Sequence, residues 1–190
     1  HHVSKYYPDF QRGGLYLPFM VRTTITRSEQ KKIIIITGTP GVGKTTLAKV
    51  LCKKLNYERV DLHRFYGLIS KSYDRKKKCY IIDYTKLGKL IKERLQETLC
   101  KGVVVDSHIT HFLPVKLVDL CVVLSCSDLK LLKKRLQRRG YTALKVQENM
   151  EAEIMQVCLN EARGRRHTII LFDTAKSGMD KMVVKISKCL

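Results

Sequence analysis

Apolar, β-branched runs alternate along the chain with segments in which apolar residues recur at helical spacing. Three runs, Lys32–Thr37, Gly102–Asp106 and Leu120–Ser125, are apolar almost throughout, which is typical of strands buried on both faces of a parallel sheet. A shorter strand is predicted at Tyr57–Asp61 and a last one at Thr168–Phe172. The strand pattern therefore predicts a sheet built from segments distant in sequence.

Amphipathic helices are predicted between these strands, because apolar residues repeat there every three or four positions. The predicted helices are Lys44–Leu55, Leu62–Ser70, Tyr84–Cys100, Leu129–Arg138, Lys145–Ala162 and Gly178–Leu190. Strands that alternate with helices imply parallel strands joined by right-handed crossovers. We therefore predict an α/β fold.

The first 30 residues differ from the rest, because their aromatic residues are scattered among glycine and proline without periodicity. His1 and His2 resemble the remnant of a purification tag, and Met20 fits a natural start. We expect residues 1–30 to be an extension with weak structure, and residues 31–190 to form one domain.

Composition narrows the class of protein. A hydrophobic fraction of 44% over 190 residues supports a sizeable core and argues against a disordered chain. No apolar run approaches the roughly 18 residues of a membrane span, so no membrane partner is predicted. The seven cysteines form no C-x-x-C pair, which favours reduced thiols in an intracellular protein.

The chain is strongly basic, with 37 Lys and Arg against 17 Asp and Glu and a net charge of +20. One interpretation is a solvated, lysine-rich surface. The other is a polyanionic partner, because cations that contact phosphates release condensed counterions. Basic runs occur at 75–78, 133–139 and 163–166, without an aromatic-rich signature of RNA binding beside them.

One segment predicts nucleotide binding directly. Residues 38–45, GTPGVGKT, fit the pattern G-x-x-x-x-G-K-[ST], in which glycines let backbone N–H groups approach phosphate oxygens. The lysine reaches the β- and γ-phosphates, and the hydroxyl after it can bind Mg²⁺. A strand before the loop and a helix after it separate this site from an ordinary glycine-rich turn. The predicted ATP-binding residues are Gly41, Val42, Gly43, Lys44, Thr45 and Thr46.

A second group must hold Mg²⁺, and Asp106 at the carboxyl end of a predicted strand is the best candidate, acting through water. The alternative is an aspartate that caps a helix or completes a turn. His108 follows two residues later and is placed to meet the γ-phosphate or an attacking group; the alternative is a structural histidine.

These motifs together resemble a known family. GTPGVGKTTLAK, DSHITHFLP, and RRGY followed by QENMEAE look like the small adenylate kinases of ribosome assembly, found in archaea and, as a nuclear isoenzyme, in eukaryotes. The resemblance covers residues 31–190. It implies a three-layer P-loop NTPase fold with a five-stranded parallel sheet, a short monophosphate-binding insert at 61–84 and a lid at 138–148.

The resemblance also implies roles for individual residues. Lys44, Asp106 and His108 match the catalytic positions of the family, the last two as a Walker B-like acid and its histidine. Arg64 matches the arginine that faces the phosphate of AMP, and Arg139 the one that closes on the transferring phosphates. Lys176 falls in the loop that holds adenine in related kinases. For each arginine the alternative is a solvated helix face.

The implied reaction is phosphoryl transfer from MgATP to AMP, which yields two ADP, with ATP hydrolysis as an associated activity. The family also implies maturation of the small ribosomal subunit, beside a small-subunit ribosomal protein and ribosomal RNA, in the cytoplasm or in a eukaryotic nucleus. Two alternatives stay open: a nucleotide-gated assembly ATPase with weak kinase activity, and a kinase for another small metabolite.

Overall fold

The structure is a computed structural model that describes residues 30–75 and 79–190, so the predicted extension lies outside the described residues except for its last position. The strands are β1 (Lys32–Thr37), β2 (Glu58–Asp61), β3 (Ser70–Asp74), β4 (Cys79–Ile82), β5 (Gly102–Asp106), β6 (Leu120–Ser125) and β7 (Ile169–Asp173). The helices are α1 (Lys44–Leu55), α2 (Tyr66–Ile69), α3 (Tyr84–Glu97), α4 (Leu129–Arg138), α5 (Ala143–Ile154), α6 (Val157–Gly164) and α7 (Met179–Ser187).

Five strands form one parallel sheet in the order β2-β5-β1-β6-β7, which confirms the predicted P-loop NTPase fold class. Successive side chains of a strand face opposite sides, so the apolar strands feed two cores. Ile34 and Ile36 of β1 pack in a core with α1, α4, α5 and α7. Ile33 and Ile35 pack in a second core with α3 and α6. Helices on both faces of the sheet make the three layers.

The central position of β1 determines where the phosphate loop lies. β1 pairs with β5 on one side and with β6 on the other, and Ile36 lies opposite Asp106 in the register. The loops that follow β1 and β5 therefore leave the same edge of the sheet side by side. This edge is where open α/β sheets bind ligands.

The helical stretch predicted from Leu62 to about Ser70 is confirmed in extent, but it consists of two short parts and is followed by a hairpin that was not predicted. A 3₁₀ turn, Leu62–Phe65, leads into the short helix α2, and the chain then forms the antiparallel hairpin β3–β4. The hairpin escapes prediction because β3 is polar and largely exposed, without apolar alternation. The turn, α2 and the hairpin lie within residues 61–84, the range for which a monophosphate-binding insert is predicted.

The single helix predicted at Lys145–Ala162 is also wrong, because two helices, α5 and α6, occupy it. Between them Gln156 adopts a left-handed conformation with φ of 50°, which helices do not continue through. The predicted lid at 138–148 comprises the end of α4, a short connection and the first half of α5. Two further helices, α3 and α7, end a few residues before the predicted limits.

Within the residues described, no helix has both the length and the apolar character that crossing a membrane requires.

Candidate active site

The phosphate loop connects β1 to α1 in a conformation that glycine makes possible. Gly38 has φ of +139°, and a Cβ there would lie 2.3 Å from the carbonyl oxygen of Leu124. Gly43, immediately before α1, has φ of +103°. The first turn of α1 contains no acidic residue, so no negative side chain of that turn competes with an anion for its free N–H groups. The loop is therefore shaped to receive an anion.

Lys44 is folded back across this loop. Its Nζ donates to the carbonyl oxygens of Gly38 at 2.7 Å and Thr39 at 2.8 Å. Burial lowers the pKa of Lys44 to about 8, and the charge of Arg139 lowers it further while Asp106 raises it. The ammonium group thus lies above the loop in an environment that favours an added negative charge.

The predicted metal pair meets in the structure. Thr45 Oγ1 donates to Asp106 Oδ2 at 2.7 Å, and the Asp106 side chain is only 3% exposed. A hydroxyl and a carboxylate at the mouth of a phosphate loop are oxygen ligands of the kind that Mg²⁺ prefers. The chemistry of these two side chains therefore fits the ion.

Sequence reasoning missed Arg59, which binds the same carboxylate. Its Nε donates to Asp106 Oδ1 at 2.6 Å and its Nη2 to Asp106 Oδ2 at 3.2 Å, while Nη1 lies 3.4 Å from Asp61 Oδ2. The contact between Arg59 and Asp106 depends on strand pairing, because β2 lies beside β5 with Asp61 opposite Asp106. A single arginine in a short strand belongs to no motif.

Two cavities adjoin the phosphate loop. The α4-side cavity, about 350 Å³, is lined by Gly43, Thr46, Arg135, Arg138, Thr174 and Ser177 among others. The His108-side cavity, about 390 Å³, is lined by Lys44, Thr45, His63, Asp106, His108 and Glu161 among others. Gly41, Gly43 and Arg139 line both. Two separate spaces therefore share one phosphate-binding loop.

His108 stands in the wall of the His108-side cavity, open to its interior. The surrounding protein lowers the pKa of His108 to about 4, and the neighbouring Lys44 and His63 charges act in the same direction. The imidazole is therefore neutral at pH 7 and can accept as well as donate a hydrogen bond.

The remaining predicted residues divide between the cavities and the surface. Thr46 and the buried Val42 line the α4-side cavity, as Arg139 does from the end of α4. Lys176 is exposed, with Nζ 3.7 Å from Asp173 Oδ2, beside rather than in this cavity. Arg64 is exposed in the 3₁₀ turn after β2, and its neighbour His63, not Arg64, lines the His108-side cavity.

Two buried groups support the site from behind, and neither was predicted. Glu153 of α5 accepts from the backbone N–H of Cys126 at 2.6 Å and from the Thr39 hydroxyl. His111, fully buried, links Thr37 at the end of β1 to Glu161 of α6 through its two ring nitrogens, at 2.7 and 2.8 Å. In the sequence, the contacts of Glu153 and His111 are indicated only by the presence of a polar residue within an otherwise apolar pattern.

The geometry defines a P-loop protein with two cavities beside the phosphate loop, and comparison with known proteins supports the P-loop class. Residues 34–156 match the family model described as "AAA domain". "Putative adenylate kinase" of Methanocaldococcus jannaschii is 38% identical, over 83% of this chain and 85% of its own. "Putative adenylate kinase" of Thermococcus kodakarensis is 40% identical, over 81% and 82%. "Adenylate kinase isoenzyme 6 homolog" of Schizosaccharomyces pombe is 36% identical, over 82% and 87%. The chain belongs to this adenylate kinase family.

Solved structures show the same fold at low sequence identity. Shikimate kinase from Acinetobacter baumannii, in complex with shikimate, superposes with a TM-score of 0.57 at 16% identity, over 84% of this chain and 93% of that one. The YorR protein of Bacillus subtilis, in complex with phosphorylated GDP, gives 0.54 at 18% identity, over 83% and 94%. These likenesses concern the fold alone.

Proposed function

We propose that this protein transfers a phosphoryl group from MgATP to AMP and yields two ADP. The observation that carries the proposal is the pair of cavities that share Gly41, Gly43 and Arg139. A hydrolase needs one nucleotide cavity and access for water, whereas a kinase needs two spaces that meet at the transferred phosphate. The names of the relatives support AMP as the acceptor.

The α4-side cavity suits the donor nucleotide. Arg135, Arg138 and Arg139 bring three guanidinium groups to its wall, and planar guanidinium forks match phosphate oxygens. Met179 and Met182 also line this cavity, and their apolar side chains can cover a base. Lys176, at the rim, is proposed as a further contact to adenine.

The His108-side cavity suits the acceptor, with Arg64 in the adjacent turn proposed to reach the phosphate of AMP. Neutral His108 is proposed to orient the attacking oxygen by accepting its hydrogen bond. Lys44 is placed to leave the carbonyl groups of Gly38 and Thr39 and donate to phosphate oxygens, where negative charge increases in the transition state. Mg²⁺, when bound beside Thr45 and Asp106, neutralises part of that charge.

An acceptor screen tests the proposal. ADP formation from MgATP is measured with AMP, with other nucleoside monophosphates, with shikimate-like hydroxyl acceptors and with water alone. We expect AMP to give the highest turnover, and Lys44→Ala to abolish turnover while the protein stays folded by circular dichroism. Lys49→Ala, an exposed lysine on the same helix, is the matched control and retains activity. Turnover that is fastest without any acceptor contradicts the kinase and favours the ATPase.

We also propose a role beside ribosomal RNA and a small-subunit ribosomal protein, with ATP hydrolysis as an associated activity, in the cytoplasm or in a eukaryotic nucleus. The supporting observation is the distribution of charge. Neither α1 nor α4 contains an acidic residue, and their exposed cations include Lys49, Lys53, Lys130, Lys133 and Lys134. Exposed cations on each helix can neutralise phosphates of an RNA.

A group of tyrosine rings also supports the proposed binding of RNA. Tyr66, Tyr80 and Tyr73 follow one another with centroids 6.0 and 5.0 Å apart, although they are separated in sequence. Tyr73 and Tyr80 are exposed, and exposed tyrosine rings can stack on unpaired bases. Fluorescence anisotropy with a labelled single-stranded RNA tests the proposal: we expect micromolar or tighter binding that weakens with salt. Binding no tighter than that of an equally basic unrelated protein contradicts it.

A further inference from the structure

The carboxylate proposed to hold Mg²⁺ is already bound to a cation of the protein. Arg59 contacts both oxygens of Asp106, at 2.6 and 3.2 Å, and both side chains are largely buried, 21% and 3% exposed. Paired contacts of an arginine fork to a carboxylate are among the stronger ion pairs in proteins. The limited exposure of both side chains makes this pair a well-ordered part of the structure.

The hydrogen bonds to Asp106 leave little room for a metal. An ionised carboxylate offers about four acceptor positions. Arg59 Nε and Nη2 use two of them and the Thr45 hydroxyl uses a third. One position remains, which suffices for a water molecule of the hydration shell of Mg²⁺. Direct coordination of the ion by Asp106 would have to use this one position, where the neighbouring guanidinium charge of Arg59 repels a cation.

Arg59 is itself held in place from the other side. Its Nη1 lies 3.4 Å from Asp61 Oδ2, and Asp61 lies two residues further along β2, on the same face of the strand. The guanidinium therefore bridges two carboxylates. The pairing of β2 with β5 places this bridge at the edge of the sheet, next to the phosphate loop.

We propose that Arg59 is a positioning residue that sets the metal dependence of nucleotide binding. It orients Asp106 and neutralises its charge, so that Asp106 contacts Mg²⁺ only through water and attracts the ion weakly. Nucleotide then binds nearly as well without Mg²⁺ as with it. The inference rests on the proposed function only in assigning Asp106 to the metal, and it does not depend on which acceptor is phosphorylated.

Binding of ADP to the intact protein tests this inference, measured by calorimetry in excess EDTA and in excess Mg²⁺. For the unmodified protein we expect the two dissociation constants to agree within about threefold. Arg59→Ala leaves a buried, unneutralised carboxylate at the site, so we expect Mg²⁺ to tighten ADP binding at least about tenfold in that variant. Arg59→Gln keeps a hydrogen-bond donor and removes only the charge, so it serves as the second variant if Arg59→Ala folds poorly. We expect Mg²⁺ to tighten ADP binding in this variant as well.

Arg94→Ala is the matched control. Arg94 also forms an ion pair with a residue of β2, Glu58, but does not contact Asp106, so its loss should leave the Mg²⁺ effect unchanged. The double variant Arg59→Ala, Asp106→Asn should lose the enhanced Mg²⁺ effect. The inference is overturned if Arg59→Ala and Arg59→Gln have the same ratio of ADP dissociation constants, in EDTA over Mg²⁺, as the unmodified protein. It is also overturned if the enhanced Mg²⁺ effect remains after the loss of Asp106. Absence of AMP phosphorylation would overturn the proposed function and leave these binding ratios as they are.

Discussion

The environment of Lys44 links nucleotide binding to the protonation of its side chain. Its ammonium group is half-buried and bound to two backbone carbonyl groups, and burial lowers its pKa to about 8. A phosphate ligand favours the charged form, so the pKa of Lys44 must be higher in the nucleotide complex than in the free protein. Between those two pKa values, nucleotide binding takes up a proton.

This shift predicts the pH dependence of nucleotide binding. Free Lys44 loses its proton as the pH rises through about 8, so we expect ATP affinity to fall between pH 8 and pH 9.5. Calorimetry at pH 8.5 in buffers of different ionisation enthalpy should show proton uptake of a fraction of one per nucleotide. Lys44→Arg, if it binds ATP, should show neither effect because arginine stays charged. An affinity of the unmodified protein that does not change across this range contradicts the prediction.

The residues that could be predicted are those whose neighbours in space are also neighbours in sequence. Gly41, Gly43, Lys44 and Thr45 occupy one loop, and their spacing alone indicates their chemistry. Arg59 could not be found in this way, because its partner lies 47 positions further along the chain, on an adjacent strand. Contacts of this kind become visible only when strand order is known.

At the scale of elements, the interruption between α5 and α6 has a structural role. Because α5 ends beside the phosphate loop, Glu153 can bind the Thr39 hydroxyl and the Cys126 backbone together. These contacts join α5 to the loop after β1 and to the end of β6. The periodicity of 145–162 predicted one helix because apolar spacing continues through the break, and a left-handed residue such as Gln156 leaves no mark on that spacing.

We therefore expect Glu153→Ala to weaken both the fold and the site. The buried N–H of Cys126 and the Thr39 hydroxyl would lose their acceptor, which costs about 1–3 kcal/mol in free energy of unfolding. ATP affinity should fall as well, since Thr39 also holds Lys44. Urea unfolding and calorimetry measure the two effects. Glu153→Gln should retain most of the stability and most of the ATP affinity. Glu151→Ala, an exposed position on the same helix, should change neither quantity. A Glu153→Ala protein with normal stability and normal ATP affinity would show that these contacts are unimportant.

Strand prediction depended on burial. The limits of β1, β5 and β6 agree with prediction because each is apolar on both faces, whereas β3 has exposed polar residues and was missed. Hydrophobic patterning reports burial in a core, so an element that lies outside the core gives no such signal. The hairpin β3–β4 is such an element.

At the scale of the whole molecule, the two cavities predict a distinctive ligand. Two adenosines joined by a polyphosphate chain could occupy both cavities and the phosphate loop at once, with the second end bound at high effective concentration. We expect such a compound to raise the thermal midpoint more than ATP or AMP does at the same concentration. Differential scanning fluorimetry measures this shift. Lys44→Ala should reduce it, and a shift no larger than that of ATP alone would indicate a single usable cavity.

The central place of β1 in the sheet has a consequence for the synthesis of the protein. Ile34 pairs with Val104 and Leu120, 70 and 86 residues further along the chain. At roughly 5–20 residues per second, a ribosome needs roughly 4–14 s to make the first of these partners after β1 itself. Throughout that interval the Ile33–Ile36 run is complete but unpaired, and it has the β-branched, uncharged composition that promotes aggregation. The nascent chain therefore has its greatest need of a chaperone before its nucleotide site exists.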